Sequence, residues 1–224
     1  EPGTVVQFAD NIDLHIGDND NSNYRGALQA DGVTFTALDT TVGWDEIEFN
    51  AHTDDDETYL DSCVIEYSHE MALFINECSP SITNSTFRNN ENGITQTSGE
   101  SFALIAGNTF INNTRPVSVY ANGIDSTLYG NTYIDNVQNY IEVQGQNIQG
   151  DGTHIWAMDG APYAVVGNNI SVQGDNNSDY LMILKIEPGT VVQFADNIDL
   201  HIGGSTAYLR GALQADGVTF TALD

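Results

Sequence analysis

Basic residues are nearly missing from this chain. One lysine, Lys185, and four arginines, Arg25, Arg88, Arg115 and Arg210, stand against 32 Asp and Glu, for a formal net charge of −27. A surface so acidic repels nucleic acid and anionic membranes. It also repels an acidic polysaccharide unless divalent cations intervene. Two readings of the acidity stay open: a solvating surface for salty water, or a surface that holds divalent cations. Disorder is excluded, because 40% of the residues are hydrophobic and they fall in regular short runs.

Long apolar runs are missing too. No stretch of 18 apolar residues offers a membrane-spanning helix, and no export signal opens the chain. The chain starts in mid-pattern on the strand-like EPGTVVQF and reads as a piece of a longer precursor. Cysteine is scarce: Cys63 and Cys78 stand 15 residues apart, too few and wrongly spaced for a structural zinc site. One disulfide and two core thiols are both compatible with that spacing. The i, i+3, i+4, i+7 repeat of a helix is almost absent, while short alternating runs such as TVVQF, IDLHI, VTFTAL and MILKI are everywhere.

What is present is repetition. Glu1–Gly17, EPGTVVQFADNIDLHIG, returns letter for letter as Glu187–Gly203, and Arg25–Asp39, RGALQADGVTFTALD, returns as Arg210–Asp224. The copies differ only in the bridge, where DNDNSNY (Asp18–Tyr24) gives way to GSTAYL (Gly204–Leu209). Residues 1–186 thus read as one complete unit and 187–224 as the start of the next. Units this alike mark arrays built for length or multivalency.

A shorter period runs inside the long one. SCVIEYS, NSTFRNN, GNTFINN and GNTYIDN align with Ile65, Phe87, Phe110 and Tyr133 at their centres, at steps of 22, 23 and 23. Phe8 and Phe35 upstream are expected in the same slot, and Val172 to Phe194 repeats the step of 22. The longer upstream steps contain two polar insertions, DNDNSNY and HTDDDET (His52–Thr58). Three short strands per coil of about 22–23 residues describe an all-β, single-stranded parallel β-helix. In such a solenoid the inward residues of one slot stack as a ladder. Phe8, Phe35, Ile65, Phe87, Phe110, Tyr133 and Phe194 are expected on one stack, with Asn90, Asn113 and Asn136 as an asparagine ladder at a turn. A unit of roughly eight coils would advance roughly 40 Å.

The run LKIEPGTVVQFADNIDLHIGG, with LRGALQADGVTFTA after it, resembles the opening coils of pectate-lyase-like right-handed β-helix proteins of prokaryotic surfaces. SPSITNSTFRNNENGI is similar to the coil repeat of the same superfamily, shared with carbohydrate-binding and sugar-hydrolase proteins. The resemblance covers nearly the whole chain. It implies a right-handed solenoid and says little of function, because the recurring residues are ladder residues.

Candidate chemistry lies in acidic loops. Asp54, Asp55, Asp56 and Glu57, beside His52, are carboxylates on one loop that would suit Ca2+ or a hydrolytic acid pair, or simply a solvated loop. Asp18 and Asp20 open a D-x-D-x-S sequence like a calcium loop, but Asn23 stands where glycine is needed and Gln29 where the closing glutamate is needed. Asp175 and Asp179 form a similar incomplete pattern. These loops are the candidate Ca2+ ligands; no cofactor is required. The Gly-His-Gly and Arg-x-Lys stretches that polygalacturonase-like enzymes need are absent, and Lys185 is a poor candidate for a lyase base. His15 and His201 alternate with Leu and Ile and are expected to face solvent. The sequons at Asn84, Asn112, Asn169 and Asn176 read as acceptors or as ladder turns.

The expectation is therefore a non-catalytic structural protein: a tandem-repeat shaft of an extracellular filament, stalk or adhesin, whose main partner is its own kind. A carbohydrate-binding module using Tyr59, Tyr120, Tyr140 and Trp156 against surface glycans is the alternative, ahead of a Ca2+-dependent lyase or hydrolase.

Overall fold

Alternating apolar residues broken every few positions by Asn, Asp and Gly produce strands of two to six residues joined by tight corners. The computed structural model describes residues 1–20, 23–97, 102–175, 180–205 and 209–223. Among the described residues all strand pairings are parallel, and each strand pairs with the equivalent strand one coil away, so the chain is a parallel β-helix.

A first face stacks Val5–Phe8, Thr34–Ala37, Val64–Glu66, Thr86–Arg88, Thr109–Ile111 and Thr132–Ile134. A second face is the longest. It runs through Leu14–Ile16, Ile47–Phe49, Met71–Ile75, Asn92–Gln96, Arg115–Tyr120, Ile141–Gln144, Tyr163–Val166, Val191–Phe194 and Thr219–Ala222. A third holds Gln29–Asp31, Tyr59–Asp61, Ser81–Thr83, Leu104–Ala106 and Leu128–Tyr129. After Thr132–Ile134 the cross-section changes. The first and third faces end, and two new faces begin. The fourth stacks Asn147–Gly150, Ile170–Gly174 and Leu200–Ile202; the fifth stacks Gly152–Trp156, Leu181–Ile186 and Arg210–Gln214.

The inward stack forms as the spacing predicts in its middle. Ile65 pairs with Phe87, Phe87 with Phe110 and Phe110 with Tyr133. The Phe87 and Phe110 rings lie 5.1 Å apart at 17°, and Phe110 and Tyr133 lie 5.2 Å apart at 10°. Two members are placed differently. Phe35 is in register with Val6, not Phe8, because the hydrogen bonds Gly3 N to Gly32 O and Thr34 N to Thr4 O fix the start of the pairing. Phe8 is also inward, two residues further along, where it pairs with Ala37 and stacks on Trp44 at 4.6 Å. Phe194 belongs to the second face, in register with Val165. The step from Val172 is accordingly not to Phe194; Val172 pairs with Ile148 and Ile202.

Two ladders of polar side chains run up the corners. Asn90 donates from its backbone N and from Nδ2 to Asn113 Oδ1, and Asn113 does the same to Asn136 Oδ1, at 2.9–3.1 Å. Each Nδ2 also reaches a carbonyl one coil back: Asn90 to Ile65, Asn113 to Phe87, Asn136 to Phe110. A second ladder was not foreseen. Ser85 N donates to Asn108 Oδ1, Asn108 N to Asn131 Oδ1 and Asn131 N to Asp159 Oδ1. Each ladder residue but Asp159 follows one in the left-handed region. Tyr67, Asn89, Asn112 and Asp135 precede the first ladder's corners, and Ser62, Asn84, Gly107 and Gly130 the second's, all at positive φ. The signal lay in the repeated G-N-T of Gly107–Thr109 and Gly130–Thr132, which supplies the left-handed residue, the ladder asparagine and the strand start together.

The repeated segments rebuild the same coil. Val5–Phe8 pairs with Thr34–Ala37 in the register in which Val191–Phe194 pairs with Thr219–Ala222. The corner bonds match as well: Leu38 N to Phe8 O is 2.7 Å and Leu223 N to Phe194 O is 2.8 Å. Yet the copies occupy different faces. Val5–Phe8 starts the first face, whereas Val191–Phe194 lies on the second; Leu14–Ile16 is on the second and Leu200–Ile202 on the fourth. Seven second-face strands fall within residues 1–186, so one unit spans seven turns and one face, less than the eight coils expected.

Candidate functional site

The two polar insertions fall at the same corner, between the second and third faces, and pack on one another. Thr53 bridges Gly26, Asp54 N donates to Gly26 O at 2.8 Å, and His52 N donates to Asp18 O at 3.1 Å. Asn19 Oδ1 accepts from Ala51 N and Asn76 Nδ2 at 3.2 and 3.1 Å. Gly17, at φ 76°, is required here: a Cβ would stand 2.5 Å from Thr53 N. The excursions do not simply protrude. Their backbones are tied between coils, while the 3-10 turn Asp55–Glu57 and, in the first insertion, Asn19, Asp20, Asn23 and Tyr24 are exposed.

The acids of these loops have separate tasks. Asp18 Oδ1 accepts from Asp20 N at 2.8 Å. Asp54 pairs with Arg25 at 3.0 Å. Asp55 Oδ1 accepts from Ser79 N at 2.7 Å, and Glu57 accepts from Gln29 at 2.8 Å. Asp56 is exposed. Asp175 accepts from Gln149 at 3.3 Å, far along the chain, and Asp179 lies outside the described residues. Among the described residues no three His, Cys, Asp or Glu side chains converge as a metal-holding group. Gln29, considered above as a weak closing ligand, turns its amide donor to Glu57.

A different acidic cluster was not foreseen. Asp13, Glu46, Glu48 and Glu70 gather with His15 where the second face begins; His15 Nδ1 pairs with Glu48, and His15 itself is solvent-facing, as is His201. Burial, reinforced by the charges of Glu48, Asp13 and Glu70, pushes the Glu46 carboxyl up to about 7. Beside it His69 Nε2 meets Asp45 at 2.9 Å. A polar groove of about 410 Å3 opens next to His69, lined also by Thr41, Tyr67, Asn89, Glu91 and Asn112. Its amides Asn89 and Asn112 stand one coil apart, and its hydroxyls, amides and carboxylate offer hydrogen bonds to a polar ligand. Asn84 and Asn112, the sequon residues in the ladder region, are exposed left-handed turn residues.

The other groups with reactive chemistry are bound up in structure. Cys63 and Cys78 are separate buried thiols, and burial pushes Cys78 up to about 12, which leaves it protonated and a poor nucleophile. The Tyr133 hydroxyl donates to Asp159 at 2.8 Å, and burial holds its phenol above the usual range. Arg88 pairs with Glu66 at 2.6 Å and Arg115 with Glu142 at 3.3 Å. Of the aromatics proposed for sugar stacking, Trp156 is in the core, its indole N–H donating to Ala121 O, because its strand turns the ring inward; Tyr120 and Tyr140 are half-buried and Tyr59 is the most exposed.

No family model, curated protein or solved structure matches this chain.

Proposed function

We propose that the chain is part of a non-catalytic shaft: a tandem array of β-helical units in an extracellular filament, stalk or adhesin on a prokaryotic surface. The observation that carries this reading is the second copy. The repeated sequence forms the same paired strands and corner bonds as the first and joins it through one nine-stranded face. Neighbouring coils cover each other's edges, so such a rod grows without exposing new strand edges along its length. Its acidity keeps rods apart and soluble, with net charge −27 in 224 residues. Among the described residues no helix is long and apolar enough to cross a membrane.

Electron microscopy of the native protein tests the proposal. Stiff rods whose length grows with the number of units are expected; compact particles of fixed size would end the reading. A second reading, glycan binding, is favoured by the polar groove beside Tyr67 and His69. A glycan array with wild-type protein and the Asn89→Ala, Glu91→Ala double variant separates the two.

A further inference from the structure

The last coil exposes residues that the first coil covers. In the first copy Phe8, Leu14, Leu28 and Phe35 are packed into the core, and the Trp44 ring lies on Phe8 at 4.6 Å and 18°. Their copies Phe194, Leu200, Leu213 and Phe220, with Ile198, line an open apolar mouth of about 390 Å3. Phe35 is 3% exposed and Phe220 43%. The residues are identical, so the difference lies in what sits on them. In the first copy that is the segment running on from Asp39, which brings Trp44 over Phe8, pairs Ile47–Phe49 with Leu14–Ile16 and lays Ile65 on Phe35. The bond that sets this path, Leu38 N to Phe8 O, already has its counterpart in Leu223 N to Phe194 O.

We propose that this mouth is the seat for the Thr40–Glu66 segment of a further copy of the unit, its tryptophan on Phe194, its IEF strand beside Leu200–Ile202 and its VIE strand beside Thr219–Phe220. Charge supports that occupant. His15 pairs with Glu48 of the incoming strand, whereas His201, 53% exposed, has among the described carboxylates only Asp199 at 3.9 Å. The incoming glutamate would meet His201 as Glu48 meets His15. Seating also fixes how units follow one another. The second copy lies one face on from the first, so equivalent loops of successive units face different directions around the rod. This deepens the shaft reading, which supplies the further copy, but the seat is tested apart from it.

The test is the chain extended at its C-terminus by a second copy of residues 40–75, followed by amide hydrogen exchange. Seating is expected to slow exchange at 200–202 and 219–222 at least tenfold over the unextended chain, with 84–113 unchanged. Replacing the appended tryptophan by Asp, which leaves the parent fold intact, is expected to abolish that protection. Phe194→Asp in the seat should do the same. An appended segment that stays labile, with no new protection at 219–222, overturns the proposal. So does an unextended chain that forms end-to-end dimers by sedimentation and still does so when extended, since the seat would then take another molecule's first coil. Failure to see rods by microscopy would remove the shaft reading and leave the exchange result standing.

Discussion

Residues 1–39 and 187–223 share their sequence except at the bridge, yet a following coil covers the first, and among the described residues none covers the second. Phe35 and Phe220 differ in exposure by 3% against 43%, and Ile16 and Ile202 by 8% against 40%. Backbone pairing is the same in both. In a solenoid, local sequence sets the shape of a coil, while the neighbouring coil sets its burial. The contribution of a side chain therefore depends on its rung.

The sharpest way to break this comparison is to truncate the same residue in both copies. Phe35→Ala is expected to lose about 4 kcal/mol in urea unfolding, within the range for a buried phenylalanine. Phe220→Ala is expected to lose less than about 1 kcal/mol. Equal losses would show that the end is as tightly packed as the interior. A smaller contrast lies between neighbours. Asn113→Ala removes two accepted and two donated hydrogen bonds inside the ladder and should lose about 3 kcal/mol. Asn112→Gly next to it, an exposed left-handed residue, should change stability by less than about 0.5 kcal/mol, because glycine adopts that conformation without strain.

Protons sharpen the contrast further. Glu46 lies on the coil that covers the first copy, and its carboxyl is raised from 4.5 to about 7. The folded state holds that proton more tightly than the unfolded chain. Its contribution is complete below pH 4.5 and is lost as pH rises through about 7. His154, buried against Ala121 O, is shifted the other way by desolvation. Its contribution is complete above its ordinary value of 6.5 and falls as pH drops below it. Glu46→Gln should flatten stability between pH 4.5 and 7, and His154→Gln should flatten it below 6.5. Unchanged slopes in both variants would show that neither group titrates differently on folding.

The coil was legible because ladder residues repeat in type. Ile65, Phe87, Phe110 and Tyr133, and Asn90, Asn113 and Asn136, could be aligned by spacing alone. Phe8 was misplaced because alternate residues of one strand both point inward, and register was set by a glycine corner that spacing does not reveal. Phe194 was misplaced because the cross-section changes near residue 135, where no change of period announces it. The carboxylate Asp159 closes a ladder of asparagines, a substitution that a search for matching letters passes over. The acidic loops were legible as insertions but not as tethers, since Asn19 and Asp55 bond to backbone or amide groups of other coils.

The smallest expected effect concerns the only region where the copies differ. Replacing Asp18–Tyr24 by the second copy's GSTAYL removes Asn19, whose Oδ1 accepts from Ala51 and Asn76 of the adjoining coils. The corner itself needs little from the loop, because Gly203 and Gly204 close the equivalent bridge through Val172 O and Leu209 O. The swap should lose about 1 kcal/mol, the net worth of one or two exposed hydrogen bonds. Placing DNDNSNY in the second copy should change almost nothing in this chain, since among the described residues no coil lies over 187–223 to receive Asn19's counterpart. Added Ca2+ is expected to raise the melting temperature of parent and swap alike, by screening a surface of charge −27. A rise confined to the parent, reversed by chelator, would instead make Asp18 and Asp20 an ion site, and the difference between the copies would become one of ligand rather than of burial.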